Sequence, residues 1–363
     1  MTGFFILLLS NFQQNKKVMP LRKKIIQFVF ISLLIIACFA AWQIFGSNTN
    51  FTEDKKALYI KNGSSFSTME DQLEKNGIVS NTHTFHRIAQ LMGYPPSIKP
   101  GKYVIERGAS IFSIIKLLKA GKQTPINLVI NKLRTKEDFA EKIAANFNCD
   151  SIAIINFLNS KDSLAAYNLD SNTVITAIVP NTYSLLWNTS FSKIFKRLYS
   201  EQEKFWTDER KKKAAGMGLS TMQVYIMASI VEEETNKEED KGKIASVYLN
   251  RLKAGMKLGA DPTIKFALRD FALKRIYNKH LTVPSPYNTY INTGLPPGPI
   301  CTPSQKTIDA VLDAPATSYL YFVARPDLKG YSNFASTYEE HMRYAKAYQQ
   351  ALDTLMRRKA EGR

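Results

Sequence analysis

Three adjacent carboxylates, Glu232, Glu233 and Glu234, close an uncharged apolar run, Val224 to Val231, in a chain of 363 residues. A helix buried on most sides and ending in adjacent acids is a setting in which one carboxyl can be partly desolvated and held protonated near neutral pH. That is the requirement for a general acid. The same pattern also fits a buried helix that simply runs out into solvent through a charged last turn, so the surroundings must separate the two. Asp261, just before Pro262, is one such surrounding: the proline holds it extended and presents its carboxyl from a rigid turn, or else Asp261 caps a helix that starts at the proline. Another is Ser285 to Ser304, SPYNTYINTGLPPGPICTPS, with Tyr287, Asn288, Thr289 and Tyr290 in a Pro- and Gly-rich loop. Rings that stack on pyranose faces, beside amides and hydroxyls that fix the sugar hydroxyls, are what a sugar groove uses.

The elements that must position these groups are legible from periodicity. Lys243 to Leu252 is an amphipathic helix with Ile244, Val247, Tyr248 and Leu252 on one face and Gly255 as its stop. Joined to the apolar helix by the polar segment Thr235 to Lys241, it can pack alongside and frame one rim of a groove. Upstream, INLVINKLRT from Ile126 alternates as a strand does, a helix runs through Phe139 and Ile143, and a helical stretch reaches Leu158. AIVPNTYSLL reads as a strand and turn around Pro180 and Tyr183, and Phe191 to Lys204 as a strongly basic amphipathic helix.

Ahead of this lies a smaller mixed unit. It reads as a strand, ALYIKNG, a helix with Met69 and Leu73 stopped at Gly77, and a helix with Phe85, Ile88, Ala89 and Met92 ended by Pro95 and Pro96. A strand, KYVIERG, and a helix carrying Ile111, Ile114, Ile115 and Leu118, closed by Gly121, complete it. His83 and His86 stand three apart, as helical metal ligands can, but without an acidic or thiol companion nearby in the sequence they read as a solvated helix face.

Ile25 to Phe45 is a run of 21 residues without a charge, long enough at about 1.5 Å per residue to span a bilayer core. It is too long for a signal peptide and ends in bulky Trp42 and Phe45. Lys16, Lys17, Arg22, Lys23 and Lys24 precede it without an acid, which puts the amino terminus in the cytoplasm and everything after Gly46 outside. Because MPLRKK and the apolar run form a complete signal-anchor, translation is expected to start at Met19. The net charge of +18 implies an anionic partner. Nucleic acid is not the expected one, since there is no zinc-finger spacing, aromatic RNA-binding signature or basic helix with heptads. Cys38, Cys149 and Cys301 lie far apart and form neither a disulfide framework nor a zinc motif, so no metal and no cofactor is expected.

Several ordered motifs carry a resemblance. ASIVEEET at Ala228 to Thr235, ASVYLNRLKAGMKL at Ala245 to Leu258, DPT at Asp261 to Thr263, YNTYINTGLPPGPI at Tyr287 to Ile300 and YLYFVA at Tyr319 to Ala324 resemble the endolytic murein transglycosylases of the YceG-like (MltG) family. NGSSFSTMEDQLEKNGIVS and IKPGKYVIERGAS resemble the LysM-like region ahead of the catalytic part, which implies glycan positioning. The resemblance implies an α+β protein: a basic cytoplasmic tail over 1–24, a membrane helix over 25–45, a linker over 46–56, a LysM-like module over 57–125, a catalytic domain over 126–345 and a basic helix or tail over 346–363.

It further implies a lyase that cleaves the β-1,4 bond between N-acetylmuramic acid and N-acetylglucosamine in nascent peptidoglycan. Glu232 takes the catalytic position, protonating the departing oxygen and then accepting the C6 hydroxyl proton, so that a 1,6-anhydro end forms. Glu234, Asp261, Tyr287, Asn288 and Thr289 are the expected substrate-binding residues. Strand-length setting beside cell-wall synthases, the penicillin-binding proteins, is the implied context. Periodicity by itself slightly favours Glu234 over Glu232, because Glu234 stacks over Ile230 and Glu232 only over Ala228. The chain departs from the family at Glu233, where a basic residue is usual and where like charges are expected to raise the carboxyl pKa values as a group. It departs also at Gly259-Ala260 in place of a glutamine, at Ser332 in place of a histidine, and at Met342 after His341, which reads as structural. A hydrolase using Asp261 as second carboxylate and a non-catalytic glycan-binding anchor are the alternatives. The start at Met19 is checked by intact-mass spectrometry, with residues 1–18 expected to be missing.

Overall fold

The structure, a computed structural model, describes residues 21–360 and Gly362; the expected start at Met19 and the cations Lys16 and Lys17 lie outside them. The chain divides into two compact units, residues up to Thr124 and residues from Pro125 on. Both mix helices with short antiparallel strand pairs, which is the α+β class expected.

In the first unit, helix α1 (Leu21–Phe45) is 25 residues long and buries none of its side chains. It has the length and apolarity of a single membrane span. It begins before Ile25 because the basic residues Arg22, Lys23 and Lys24 continue the helix. Strand β1 (Lys55–Ile60), helices α2 (Phe66–Lys75) and α3 (Thr82–Leu91), strand β2 (Gly101–Glu106) and helix α4 (Ile111–Ala120) follow. β1 and β2 pair antiparallel, Lys55 opposite Glu106 and Ile60 opposite Gly101. Alternation sends Leu58, Ile60, Tyr103 and Ile105 inward against Ile111, Ile114, Ile115 and Leu118 of α4, with Met69, Leu73, Phe85 and Ala89 completing the core. Ser110 caps α4, and Gly121, at φ 68°, takes the left-handed turn that ends it. His86 does have an acidic companion: its Nδ1 lies 2.9 Å from Glu70 on α2, a pairing across two helices that sequence spacing does not reveal.

The second unit has two cores. The first joins strand β3 (Ile126–Ile130), helices α5 (Lys136–Asn146), α6 (Ser151–Asn159) and α7 (Lys161–Ala165), strand β4 (Asn181–Leu185) and helix α8 (Phe191–Phe205). β3 pairs antiparallel with β4, and Leu128, Ile130, Phe139, Ile143, Ile194, Phe195 and Leu198 pack together. The second core surrounds the apolar run, with helices α9 (Asp208–Gly216), α10 (Thr221–Glu234), α11 (Glu238–Lys253), α12 (Asp261–Leu268), α13 (Asn278–Leu281) and α14 (Gln305–Leu312). A hairpin of β5 (Tyr321–Ala324) and β6 (Ser332–Ala335) and the long helix α15 (Tyr338–Ala360) end the unit. α15 runs without a break past residue 345, where the sequence suggested a boundary.

α10 organises the second core. Ser220 caps it, with Gln223 returning the bond in a capping box, and every residue from Val224 to Val231 is buried. A helix that is apolar all round is stable only when neighbours cover every face. Its hydroxyls are all satisfied: Tyr225 donates to the Ile178 carbonyl at 2.5 Å, and Ser229 Oγ donates to the Ile226 carbonyl at 2.7 Å. Ser229 Oγ also accepts from the Ile300 N–H at 3.0 Å, pinning the Pro- and Gly-rich loop to α10 one turn before the acids. Ser229→Ala leaves that buried N–H without a partner and should cost about 1–3 kcal/mol, read as a lower midpoint in thermal or denaturant unfolding.

Candidate active site

α10 leaves the core at Glu232. Successive helical residues point about 100° apart, so three consecutive carboxylates fan out to three different neighbours. Glu232 turns to the start of α14: its Oε2 accepts from Ser304 Oγ at 3.1 Å, from Ser304 N at 3.4 Å and from Thr307 Oγ1 in close contact. Ser304 is the N-cap of α14, so the carboxylate sits at the positive end of that helix. Lys241 Nζ, on a side chain only 4% exposed, lies 3.5 Å from the same oxygen and 2.7 Å from Glu238.

Glu233 meets Arg134 through two parallel N–H···O bonds of 3.2 and 3.1 Å, with Lys132 Nζ 3.1 Å from Oε1. Burial pushes its pKa up, but the Arg134 hydrogen bonds and the Lys132 charge outweigh this and hold it below the usual carboxylate range. Glu234 goes the other way. Burial raises it to about 7; the hydrogen bond from Tyr248 opposes the shift, the Asp261 charge adds to it, and Arg251 and Lys265 offset part. Its position on the last turn of α10, beside unpaired carbonyls, acts in the same upward sense as burial. The Tyr248 hydroxyl donates to Glu234 Oε1 at 2.5 Å. Glu233 and Glu234 therefore shift in opposite directions, because Arg134 and Lys132, a hundred residues upstream, neutralise Glu233.

A cleft of about 610 Å³ opens beside Glu233 and Glu234. Asp261 and Lys265 of α12, Lys274 and Arg275 of the following loop, and Tyr348, Gln349 and Leu352 of α15 complete its lining, and Glu232 is not part of it. Asp261 is neither extended nor a cap: it is the first residue of α12, with Ala260 as N-cap and Pro262 second. Tertiary hydrogen bonds override the local preference of a residue before proline. Ala260 N donates to Thr289 Oγ1 at 2.9 Å, and Thr263 Oγ1 donates to the Ala260 carbonyl at 2.6 Å. Tyr290 hydroxyl donates to Asp261 Oδ1 at 2.6 Å, and burial with that bond raises the phenol above its ordinary value.

The aromatic loop divides into contacts and braces. Asn288 and Thr289, expected to bind substrate, are 0% and 1% exposed and have no surface to offer one. Asn288 Nδ2 donates to the carbonyls of Leu281 and Val283 at 3.0 and 2.9 Å, while its Oδ1 accepts from Tyr290 N at 2.9 Å. Thr289 ties the loop to Ala260 and Thr263. Both set the position of Asp261 and Tyr290. Tyr287 packs on Phe266 with ring centroids 4.7 Å apart, outside the cleft, and burial lifts its phenol to about 12. Sequence reasoning missed Tyr248 as a partner of Glu234, and it named Tyr290 in the loop without its bond to Asp261. Tyr248 was legible only as one position of an apolar face; the available signal was that a buried phenol needs a partner for its hydroxyl. His341 stacks on Tyr321 at 5.3 Å with its imidazole pKa lowered by burial, and Ser332 N donates to the buried Asp240 carboxylate at 2.7 Å.

An α+β scaffold that holds one carboxyl protonated near neutrality beside a roomy cleft, with a second carboxylate on the same wall, defines a site of the general-acid type. The profile of the YceG-like family matches residues 58–347, and the chain belongs to that family. It is 28% identical over 307 residues to an endolytic murein transglycosylase of Bacillus subtilis, covering 80% of this chain and 84% of that protein. It is 27% identical to an endolytic murein transglycosylase of Streptococcus pneumoniae, covering 78% of this chain but only 56% of the longer relative. The crystal structure of a yceG-like protein from Listeria monocytogenes superposes with a TM-score of 0.55 at 27% identity, covering 80% of this chain and 99% of that one.

Replacing Glu232 by Ala leaves the buried Lys241 with Glu238 as its remaining partner and takes an acceptor from the Ser304 and Thr307 hydroxyls, and should cost about 1–3 kcal/mol, read as a lowered unfolding midpoint. Glu234→Gln behaves oppositely. With a folded pKa near 7 against an ordinary 4.5, the native state keeps a proton that the unfolded chain releases, so this group's contribution to stability falls as pH rises between those values. The glutamine removes that penalty, and the variant should gain stability relative to the unaltered chain on going from pH 5 to pH 8 in paired thermal melts.

Proposed function

We propose that this chain is a membrane-anchored endolytic murein transglycosylase whose acid and base is Glu234. The observation that carries the reading is a single carboxyl, held near pKa 7 and hydrogen-bonded by Tyr248, on the wall of a cleft shared with Asp261. The family membership and the names of its relatives supply the substrate class.

Protonated Glu234 gives its proton to the glycosidic oxygen between N-acetylmuramic acid and N-acetylglucosamine, and the latter leaves as an alcohol. Positive charge develops at C1 of the muramyl ring, where the Asp261 carboxylate, oriented by Tyr290, stabilises it. The Glu234 carboxylate then takes the proton of the C6 hydroxyl as that oxygen bonds to C1. A 1,6-anhydro end forms, the acid is regenerated, and no water is consumed. Tyr248 favours the carboxylate state, so it assists the first step and restrains the second.

Glu232 takes no part in this scheme. Its oxygen is engaged by Ser304, Thr307 and Lys241 and it does not line the cleft, which supports assigning the chemistry two residues later. In this reading the basic residues before α1 keep the amino terminus in the cytoplasm, the first unit helps position glycan, and the enzyme works beside cell-wall synthases on nascent strands. Asp261 on the same wall also favours a second reading, hydrolysis with Asp261 guiding a water. Mass analysis of digested sacculi separates the two: anhydro ends support the first reading, and ends heavier by one water support the second.

Glu234→Gln should lower turnover at least about 100-fold with the fold intact, whereas a partly folded Glu232→Gln should lose activity only in proportion to its lost stability. Turnover of the unaltered chain should decline as pH rises through about 7, where Glu234 loses its proton. Tyr248→Phe removes a bond to the charged form and should move that alkaline limb up by about one unit. An unmoved limb would detach the limb from Glu234.

A further inference from the structure

The cleft is electrically lopsided in a way that cleavage of a bare glycan does not need. Its lining holds three acids, Glu233, Glu234 and Asp261, and three bases, Lys265, Lys274 and Arg275. Glu233 is already matched by Arg134 and Lys132, and Glu234 retains its proton up to about neutral pH. Asp261, bonded to Tyr290, is then the one free negative charge against three cations. Among the described residues none of these cations has a carboxylate within ion-pair distance, in contrast to Lys132, Arg134, Arg210, Lys213 and Lys241. The Arg275 guanidinium lies 5.8 Å from the Tyr277 ring, which leaves its planar fork open to an oxyanion. Tyr348 and Gln349 of α15 add a ring and an amide to the lining, and Leu352 an apolar side chain.

An N-acetylated glycan backbone is uncharged, and the lactyl carboxyl of muramic acid is consumed in the amide to its peptide stem. The free carboxylates of a nascent strand are on the stem. We propose that Lys265, Lys274 and Arg275 form a carboxylate-reading subsite, so that this cleft selects muramyl residues whose peptide stem carries free carboxylates over those whose stem carboxylates are blocked as amides. This rests on the reading that the cleft holds a murein strand. Lys265 is the nearest of the three to the chemistry, since its charge is felt by Glu234. A stem carboxylate beside it therefore reports substrate occupancy to the acid by partly cancelling the charge that lowers the Glu234 pKa.

The test uses the full chain in detergent micelles with two substrates: peptide-bearing murein strands with their stem amines acetylated, and the same strands after their stem carboxylates have been converted to methylamides. The quantity read is the ratio of kcat/KM on the first to that on the second, together with the ratio of affinities by fluorescence anisotropy of end-labelled strands. Partly exposed charge pairs of this kind should give a ratio of about five- to tenfold, declining with added salt. Lys274→Gln/Arg275→Gln should bring both ratios close to one. Lys193→Gln/Lys196→Gln on the exposed face of α8 removes the same charge elsewhere and should leave both ratios in place. A ratio near one for the unaltered chain overturns the proposal, as does a ratio that survives in the Lys274/Arg275 variant. Equal falls in both double variants overturn it too, because they assign the preference to the overall charge. If neither substrate is cleaved but the affinity ratio depends on Lys274 and Arg275, the subsite stands and the transglycosylase reading falls.

Discussion

The covering of α10 on every face is the constraint from which the site follows. Eight consecutive residues, Val224 to Val231, have no polar edge, so the helix must be enclosed by α9, α11, α12 and α14 and by the Pro- and Gly-rich loop that Ser229 ties to it. Enclosure of that kind brings the helix out of the core at one place only. The carboxylates that follow emerge where three separate elements have to meet them. The rigidity that a proton-transfer group needs is thus a by-product of packing, since the carboxyls are attached to the least mobile part of the unit.

The fates of the three acids show how strongly neighbours decide chemistry. All are glutamates, within one turn of the same helix. One caps α14 and balances a buried lysine, one is neutralised by a guanidinium and an ammonium, and one keeps its proton because burial and the helix end outweigh a single phenolic donor. The intervening Glu233 would crowd its neighbours with negative charge if it stood alone. Arg134 and Lys132 remove that effect, so the chain accommodates an acid there without disturbing Glu234. Asn288 and Thr289 illustrate the same point: polar residues in a conspicuous loop, fully enclosed, whose work is to hold Asp261 and Tyr290 in place.

Cleft electrostatics complement this arrangement. Asp261 and Lys265 of α12, Lys274 and Arg275 of the loop after it, and Tyr348, Gln349 and Leu352 of α15 share the cleft's lining with Glu233 and Glu234. Of the three cations in the lining, Lys265 is the one whose charge offsets part of the rise in the Glu234 pKa. Had Lys274 or Arg275 stood within a few ångströms of Glu234, their charge would have lowered its pKa and ended its use as an acid near neutrality.

Much of this was legible in the chain itself. Twenty-one uncharged residues can only be a membrane-length helix, apolar periodicity marks the core faces of α4, α8 and α11, and the motif order identifies the family. These depend on local pattern and composition, which sequence carries in full. What sequence left level was how each of three adjacent carboxylates is held, and whether Asn288 and Thr289 face solvent or a backbone. Those questions turn on partners far away in the chain: Tyr248 on the next helix, Arg134 about a hundred residues upstream of Glu233, and Thr307 some seventy downstream of Glu232. A carboxyl's pKa is set by desolvation and by the charges and donors within a few ångströms, and only the tertiary structure decides what those are.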